Sequence, residues 1–244
     1  MNAITIKLRA WGDFACFTAP EMHVERVSYP VMTPSAARGV LEAIFWKPQI
    51  RYEVDEIAVL KPIQFISIRR NEIQDTISTK AINRWRNEPS TFTPYFVDWT
   101  ENEGKQAGMR RGFNNRSQRN SVILRDVAYR ITARLIIKHP TADDNLQKYR
   151  RMFFERAESG QCFRQPCLGI REYIAHFALS DGSERPVQDT RPLGNMLYDL
   201  DFPECVSPPG TKPPRYALFA PAKLENGILN VCMMRENVFR KAKP

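Results

Sequence analysis

Apolar and polar positions alternate from Ala3 to Arg9, with Ile4, Ile6 and Leu8 set against Thr5, Lys7 and Arg9. A period of two is that of a strand with one buried face. After the loop-rich WGDFACFTAPEMHVERVSYPVM, which carries His23 and Tyr29, the period lengthens, and Ala37, Leu41 and Ile44 recur at three and four residues. Thr33 offers an N-cap and Pro34 suits the first helical position, so a helix opens there and must stop before Pro48. Ile50, Tyr52 and Val54 then alternate with Arg51, Glu53 and Asp55, and IAVL leads through Lys61-Pro62 into IQFISI. This reads as a strand broken or bent at the proline.

Residues 71–120 contain no long periodic segment, which marks a functional or partly disordered excursion. Trp85, Phe92, Tyr95, Phe96 and Trp99 within it read first as a small satellite core and second as stacking platforms. A period of two returns at Val127, Tyr129, Ile131, Ala133 and Leu135, with Arg130, Thr132 and Arg134 on the other side, a strand with a basic face. Asp143 then caps a helix on which Leu146, Tyr149, Phe153 and Ala157 form one stripe, ended by Gly160. A last strand is expected from Leu168 to Leu179. The order strand, helix, strand, long loop, strand, helix, strand is that of the split βαβ, ferredoxin-like unit, shared by RNA-recognition modules. The fold class expected is therefore α+β. Residues 1–180 form the main domain. Beyond Ser180 lie half of the eighteen prolines and the short extended segments LYDLDF, RYALFA and GILNVCMM, a β appendage over 181–244.

Charge sharpens this picture. Across 244 residues, 36 Lys and Arg oppose 27 Asp and Glu, giving a net charge of +9 and a pI near 9.5. Such a balance points to an acidic partner such as nucleic acid. No apolar run reaches the roughly 18–20 residues of a membrane span, and Met1 to Arg9 lacks the apolar core of a signal peptide, so a cytoplasmic protein without membrane contact is expected. Five scattered cysteines argue against a disulfide framework, and Cys162 and Cys167 are too isolated to form a zinc site, so no metal is expected. The excess charge concentrates in KQAGMRRGFNNRSQRN: Lys105, Arg110, Arg111, Arg116 and Arg119, with no acidic residue among them and Gly108, Gly112, Asn114, Asn115 and Asn120 loosening the backbone. Guanidinium groups grip phosphate through paired hydrogen bonds, and Phe113 offers a face for a base. A solvated charged loop has the same composition, so both readings stand.

Several segments together carry a family likeness: RAWGDFACFTAPEMHVERVSYPVMTPSAARGVLEAIFWKP, KPIQFISIRRNEI, NNRSQRNSVILRDVAYRI and LGIREY. They resemble the subtype I-C (Dvulg) branch of the fifth family of CRISPR-associated proteins, over most of the chain through about Tyr173. The resemblance implies a ferredoxin-like RNA-binding fold with a C-terminal β extension. It also implies an endoribonuclease that cuts precursor CRISPR RNA at the base of the repeat hairpin without metal or other cofactor. The enzyme then stays on the 5′ handle beside the backbone and large subunits of the interference complex. In such a reaction the 2′-hydroxyl attacks the adjacent phosphate, leaving a 2′,3′-cyclic phosphate. The protein need only align groups, move protons and stabilise charge.

The family pattern places an aromatic hydroxyl before the Trp-Lys-Pro of the first helix and a Lys-His pair near the start of the second. On this chain those positions are Phe45 and Lys148-Tyr149. Lys148 is implied as the stabiliser of the transition state. Phe45 carries no proton. Tyr149 is either a proton carrier or, as its place on the apolar stripe suggests, core. His139 and His23 are alternative carriers, and His176, in mid-strand, is the least suited. RNA contacts are expected from Lys105, Arg110, Arg111, Arg116, Arg119, Arg130 and Arg134. Two functions compete, the endoribonuclease and a handle-binding assembly subunit with little cleavage. Target DNA is a further partner, because a basic loop does not separate DNA from RNA.

Overall fold

Small residues extend the first strand past its expected end. β1 runs over Ala3–Ala15 because Ala10 and Gly12 continue its inward face and pair with Tyr129 and Val127. At Gly12 a Cβ would lie 2.7 Å from the carbonyl oxygen of Ile174, so only glycine lets these backbones meet. The computed structural model describes residues 3–22, 24–73, 78–92, 116–138, 145–201 and 216–240. The helix α1 spans Pro34–Ile44, and the chain then forms β2 (Ile50–Val59) and, beyond Lys61-Pro62, β3 (Phe65–Ile73), so the proline separates two strands. Where no periodic segment was expected, a short helix α2 (Thr79–Asn87) is capped by Ser78. It buries no residue, and with Ala81, Ile82 and Trp85 as its apolar positions over nine residues it is too short to form a long periodic segment.

Next, β4 covers Arg116–Ile137, far longer than its alternating core, and α3 covers Leu146–Glu158. Asn145, rather than Asp143, supplies the α3 cap. The strand expected from Leu168 to Leu179 shrinks to β5 (His176–Leu179), because Gly169 at φ +92 and the turn at Ile170–Tyr173 interrupt the run. The C-terminal segments form β6 (Arg191–Asp201), β7 (Tyr216–Glu225), β8 (Ile228–Asn230) and β9 (Phe239–Arg240). Between the last two, VCMM is helical, as α4 (Val231–Glu236).

Among the described residues the fold is mixed α/β, with few helices and one antiparallel sheet in the order β5-β1-β4-β2-β8-β7-β6, β3 pairing β4 and β9 pairing β7. β8 lies directly beside β2, with Glu56, Ile57 and Ala58 opposite Asn230, Leu229 and Ile228. One compact unit comprises residues 1–66 and 122–244, and a second comprises 67–121. In the second, Trp85 meets Phe92 edge-on at 5.2 Å; Tyr95, Phe96 and Trp99 lie outside the described residues. In the first, the stripes of α1 and α3 join Ile6, Leu8, Ile131, Ala133 and Leu135 in a single buried cluster. Among the described residues no helix is long and apolar enough to cross a membrane, and Cys16, Cys162, Cys167 and Cys232 are free thiols.

The opposite face of β4 was expected to be basic, and at Arg130 and Arg134 it is charge-balanced. Arg130 is buried. Its Nη1 donates to the carbonyl oxygens of Gly182 at 3.0 Å and Glu184 at 2.8 Å, and Glu56 faces its Nη2 at 3.4 Å. Arg134 donates to both Asp55 oxygens at 2.8 and 2.9 Å, with Glu53 at 3.1 Å. Strand alternation showed the arginines and, on β2, Glu53 and Asp55, but neither the pairing of β2 with β4 that brings them together nor the segment that crosses at Gly182 and Glu184.

Candidate functional site

α1 and α3 position the residues singled out above. Thr33 caps α1, accepting from the Ala36 amide at 3.3 Å, and Pro34 starts the first turn. At the other end the helix carbonyls are capped from α3 and the loop after it. The Phe163 amide donates to Ala43 at 2.8 Å, the Arg164 amide to Ala43 at 3.1 Å, and Arg156 Nη1 to Ile44 at 3.2 Å. The two helices thereby fix Phe45 against Tyr149, ring centroids 6.4 Å apart, with the Arg156 guanidinium 5.3 Å from the Phe45 ring.

The structure thus brings the two expected positions together, as a packing contact. Phe45 is fully buried and Tyr149 is only 8% exposed, part of the core with Phe153 and Ala157. Lys148, off that stripe, is exposed. The Tyr52 phenol, on β2, donates to the Phe45 carbonyl at 2.7 Å. Burial, reinforced by Glu42, pushes its pKa far above that of a free phenol, so it stays protonated. His139 and His23 lie outside the described residues, as do Lys105, Arg110 and Arg111 and the side chain of Arg116. Arg119 is half-buried on β4, and exposed His176 stacks on Trp11 at 5.9 Å.

Two hollows flank α1. The larger, about 740 Å³, lies between Gly39 and Ala43 on the helix and the Arg164–Arg171 loop. A Cβ at Gly39 would meet nothing within 4 Å, so the helix surface is open there. Arg164 and Arg171 stand at this cleft, exposed, with no ion-pair partner among the described residues. Cys167 lines it too. Its thiol is pushed up by burial against the opposing pull of those two arginines, so it is no nucleophile at neutral pH. The smaller hollow, about 330 Å³, is lined by Arg38, Glu42, Arg51, Tyr52 and Lys138 from the main strands and helix and by Asp199 and Arg235 from the C-terminal segments. Arg38 makes a bidentate pair with Asp199, and Arg235 donates to the Val54 carbonyl at 2.8 Å. Among the described residues no cluster of His, Cys, Asp and Glu has the arrangement to hold a metal ion.

Sequence reasoning missed these two hollows. Arg38 and Glu42 are four apart on a helix with an apolar opposite face, a spacing that signals a facing pair. Nothing in the local sequence ties them to Asp199.

An antiparallel α/β fold with exposed arginines beside a cleft is compatible with polyanion binding, and comparison with known proteins narrows the class. The Cas5d model of the CRISPR-associated proteins (Cas_Cas5) matches residues 5–232, and the chain belongs to that family. It is 43% identical over 234 residues to a protein of Mannheimia succiniciproducens named CRISPR pre-crRNA endoribonuclease Cas5d, covering 93% of this chain and 94% of that one. A protein of the same name from Thermus thermophilus is 41% identical over 199 residues, covering 82% of this chain and 74% of the relative. A crystal structure of a CRISPR-associated protein matches 99% of both chains with a TM-score of 0.65 at 18% identity, a likeness of fold.

Proposed function

We propose that this protein is an endoribonuclease that cleaves precursor CRISPR RNA at the repeat hairpin without a metal ion. It then remains on the 5′ handle as a subunit of the interference complex, in the cytoplasm. The observation that carries the reading is the 43% identity, over nearly the whole of both chains, to a relative named for that activity. The ferredoxin-like reading of residues 1–180 is supported by two β-α-β runs, β1-α1-β2 and β4-α3-β5, whose strands stand in the order β5-β1-β4-β2. Residues 181–244 are then the β extension, continuing the sheet beyond β2. RNA is held by Lys105, Arg110, Arg111, Arg116 and Arg119, and by Arg164 and Arg171 at the larger cleft. Arg130 and Arg134 serve the fold, since phosphate would have to displace their internal partners.

Lys148 stabilises charge on the reacting phosphate. Tyr149 is poorly placed to carry the proton, being core. The second reading, a handle-binding subunit with weak cleavage, draws on that burial and on the apolar Phe45. Incubation with cognate repeat RNA in excess EDTA separates the two. Discrete cleavage leaving a cyclic phosphate and lost in Lys148→Ala supports the nuclease. Tight hairpin binding without product leaves the assembly subunit. Contact with target DNA is a further proposal, tested by competition of DNA against the hairpin.

A further inference from the structure

With Phe45 apolar and Tyr149 packed in the core, a metal-free ribonuclease still needs a group that accepts the 2′-hydroxyl proton. The smaller hollow beside α1 contains one. Its other charges are consumed in pairs: Arg38 with Asp199, Arg51 with Glu53 at 2.6 Å, and Arg235 with Asp55 at 3.3 Å. Two groups lie outside these pairs. Glu42 approaches only Arg38 Nε, at 3.5 Å and without hydrogen-bond geometry, for that buried nitrogen has no hydrogen-bond partner among the described residues. Lys138, held by its amide on the Gln49 carbonyl at 2.8 Å, has no ion-pair partner among the described residues. A carboxylate with open lone pairs and an ammonium without such a partner thus face one hollow of about 330 Å³, at the small end of ligand-pocket sizes and of nucleotide scale.

We propose that Glu42 is the general base of the cleavage reaction and that Lys138 faces the reacting phosphate across this hollow. The inference rests on the endoribonuclease reading and names the residue that completes it. The Glu42 carboxylate takes the 2′-hydroxyl proton as the 2′-oxygen bonds to phosphorus. The bond from phosphorus to the 5′-oxygen breaks, and that oxygen leaves with the electron pair and takes a proton from water. The hydroxide so formed is neutralised by the proton that Glu42 then releases, so carboxylate and water are both restored. Lys138 offsets the charge gathering on the phosphorane oxygens.

The surroundings tune the carboxyl in the required direction. Burial pushes its pKa above the ordinary carboxylate range, Arg38 pulls it down, Asp199 pushes it up, and Arg164 and Lys138 pull it down, with a net rise. A base with a raised pKa takes a proton more readily. Arg51, Glu53 and Arg235 line the same hollow and are mutually paired, Glu53 lying 2.6 Å from Arg51 and 3.7 Å from Arg235.

The test measures single-turnover cleavage of the cognate repeat hairpin by the intact chain in EDTA from pH 5 to 9, for the unaltered protein, Glu42→Gln, Glu42→Asp and Lys138→Ala. Binding is followed separately on a hairpin carrying a 2′-deoxy nucleotide at the cleavage position. The unaltered protein should lose activity as pH falls through the Glu42 pKa. In Glu42→Gln the rate should drop about 10²–10³-fold and that acid limb should vanish, with hairpin affinity held within about threefold. Lys138→Ala should lower the rate and keep the limb. If Glu42→Gln also melts early, Glu42→Asp decides: a displaced limb supports the base, and an undisplaced one overturns it. An acid limb that persists in Glu42→Gln, or a rate within about tenfold of the unaltered protein, overturns the inference and leaves the nuclease standing. Failure of the unaltered protein to cleave overturns both.

Discussion

Replacing Arg130 by methionine keeps the length of the stem and removes the guanidinium, isolating what the charged head does. Two hydrogen bonds to carbonyl oxygens, at 3.0 and 2.8 Å, would be lost, and Glu56 and Glu184 would keep their charge beside an apolar group. Hydrogen bonds to a charged group contribute about 1.5–3 kcal/mol each, and orphaning a buried partner costs about 3–5 kcal/mol. Here the side chain of Arg130 is 11% exposed, but those of Glu56 and Glu184 are 35% and 22% exposed, so water compensates part of the loss. A net destabilisation of about 3 kcal/mol follows, equivalent to roughly 6–12 °C in melting temperature for a domain of this size. Differential scanning fluorimetry and urea titration measure it, and the salt dependence of hairpin affinity should stay unchanged. A melting shift below about 2 °C, together with a weaker salt slope, would show that the donors of Arg130 serve RNA instead of the 181–187 segment.

The remaining predictions concern separate sites. Changing Gly169 to alanine should destabilise the chain by at least about 2 kcal/mol in urea titration, since its φ is +92 and the new Cβ would lie 2.0 Å from the Cys16 carbonyl oxygen. Burial alone would raise the Asp55 carboxyl, but hydrogen bonds from Arg134, Cys232 and Arg235 outweigh it and hold its pKa below the usual value. Its stabilising contribution is therefore present at neutral pH and fades as pH falls through the lowered pKa, so the stability gap between the unaltered protein and Asp55→Asn should narrow in acid unfolding curves. Alanine at Arg110, Arg111, Arg116 and Arg119 together should weaken hairpin binding and flatten its salt slope by roughly 0.7–0.9 for each phosphate no longer neutralised. Tyr149→Phe should retain cleavage within about threefold in the single-turnover assay, because a phenol packed on Phe45 moves no proton.

Period and capping made the central elements legible. Thr33 and Pro34 marked the start of α1 to the residue, and the stripe Leu146, Tyr149, Phe153 and Ala157 marked α3 and the burial of Tyr149. β1 and β4 were read short because Ala10 and Gly12 in one, and the polar residues before Ser121 in the other, carry no apolar alternation although their backbones still pair. The role of Arg130 could not be read locally, as its partners at Gly182 and Glu184 are reached only when a distant segment crosses the sheet. Glu42 was hidden for the same reason. Its helix spacing to Arg38 was visible, yet its consequence depends on Asp199 capturing Arg38 and leaving the carboxylate without a hydrogen bond among the described residues.

The pairing of β8 with β2 has a consequence for how the chain is made. Glu56 leaves the ribosome long before Asn230, its partner across the ladder. At about 5–20 residues per second, roughly ten to thirty seconds separate them. Through that interval one side of β2 is a row of unanswered amides and carbonyls, the kind of edge to which strands of other nascent chains add. Overproduction at lower temperature, or with an abundant holdase, should therefore raise the yield of this protein more than that of one whose sheet closes in order of synthesis. A chain halted before Ile228 should collect in the insoluble fraction.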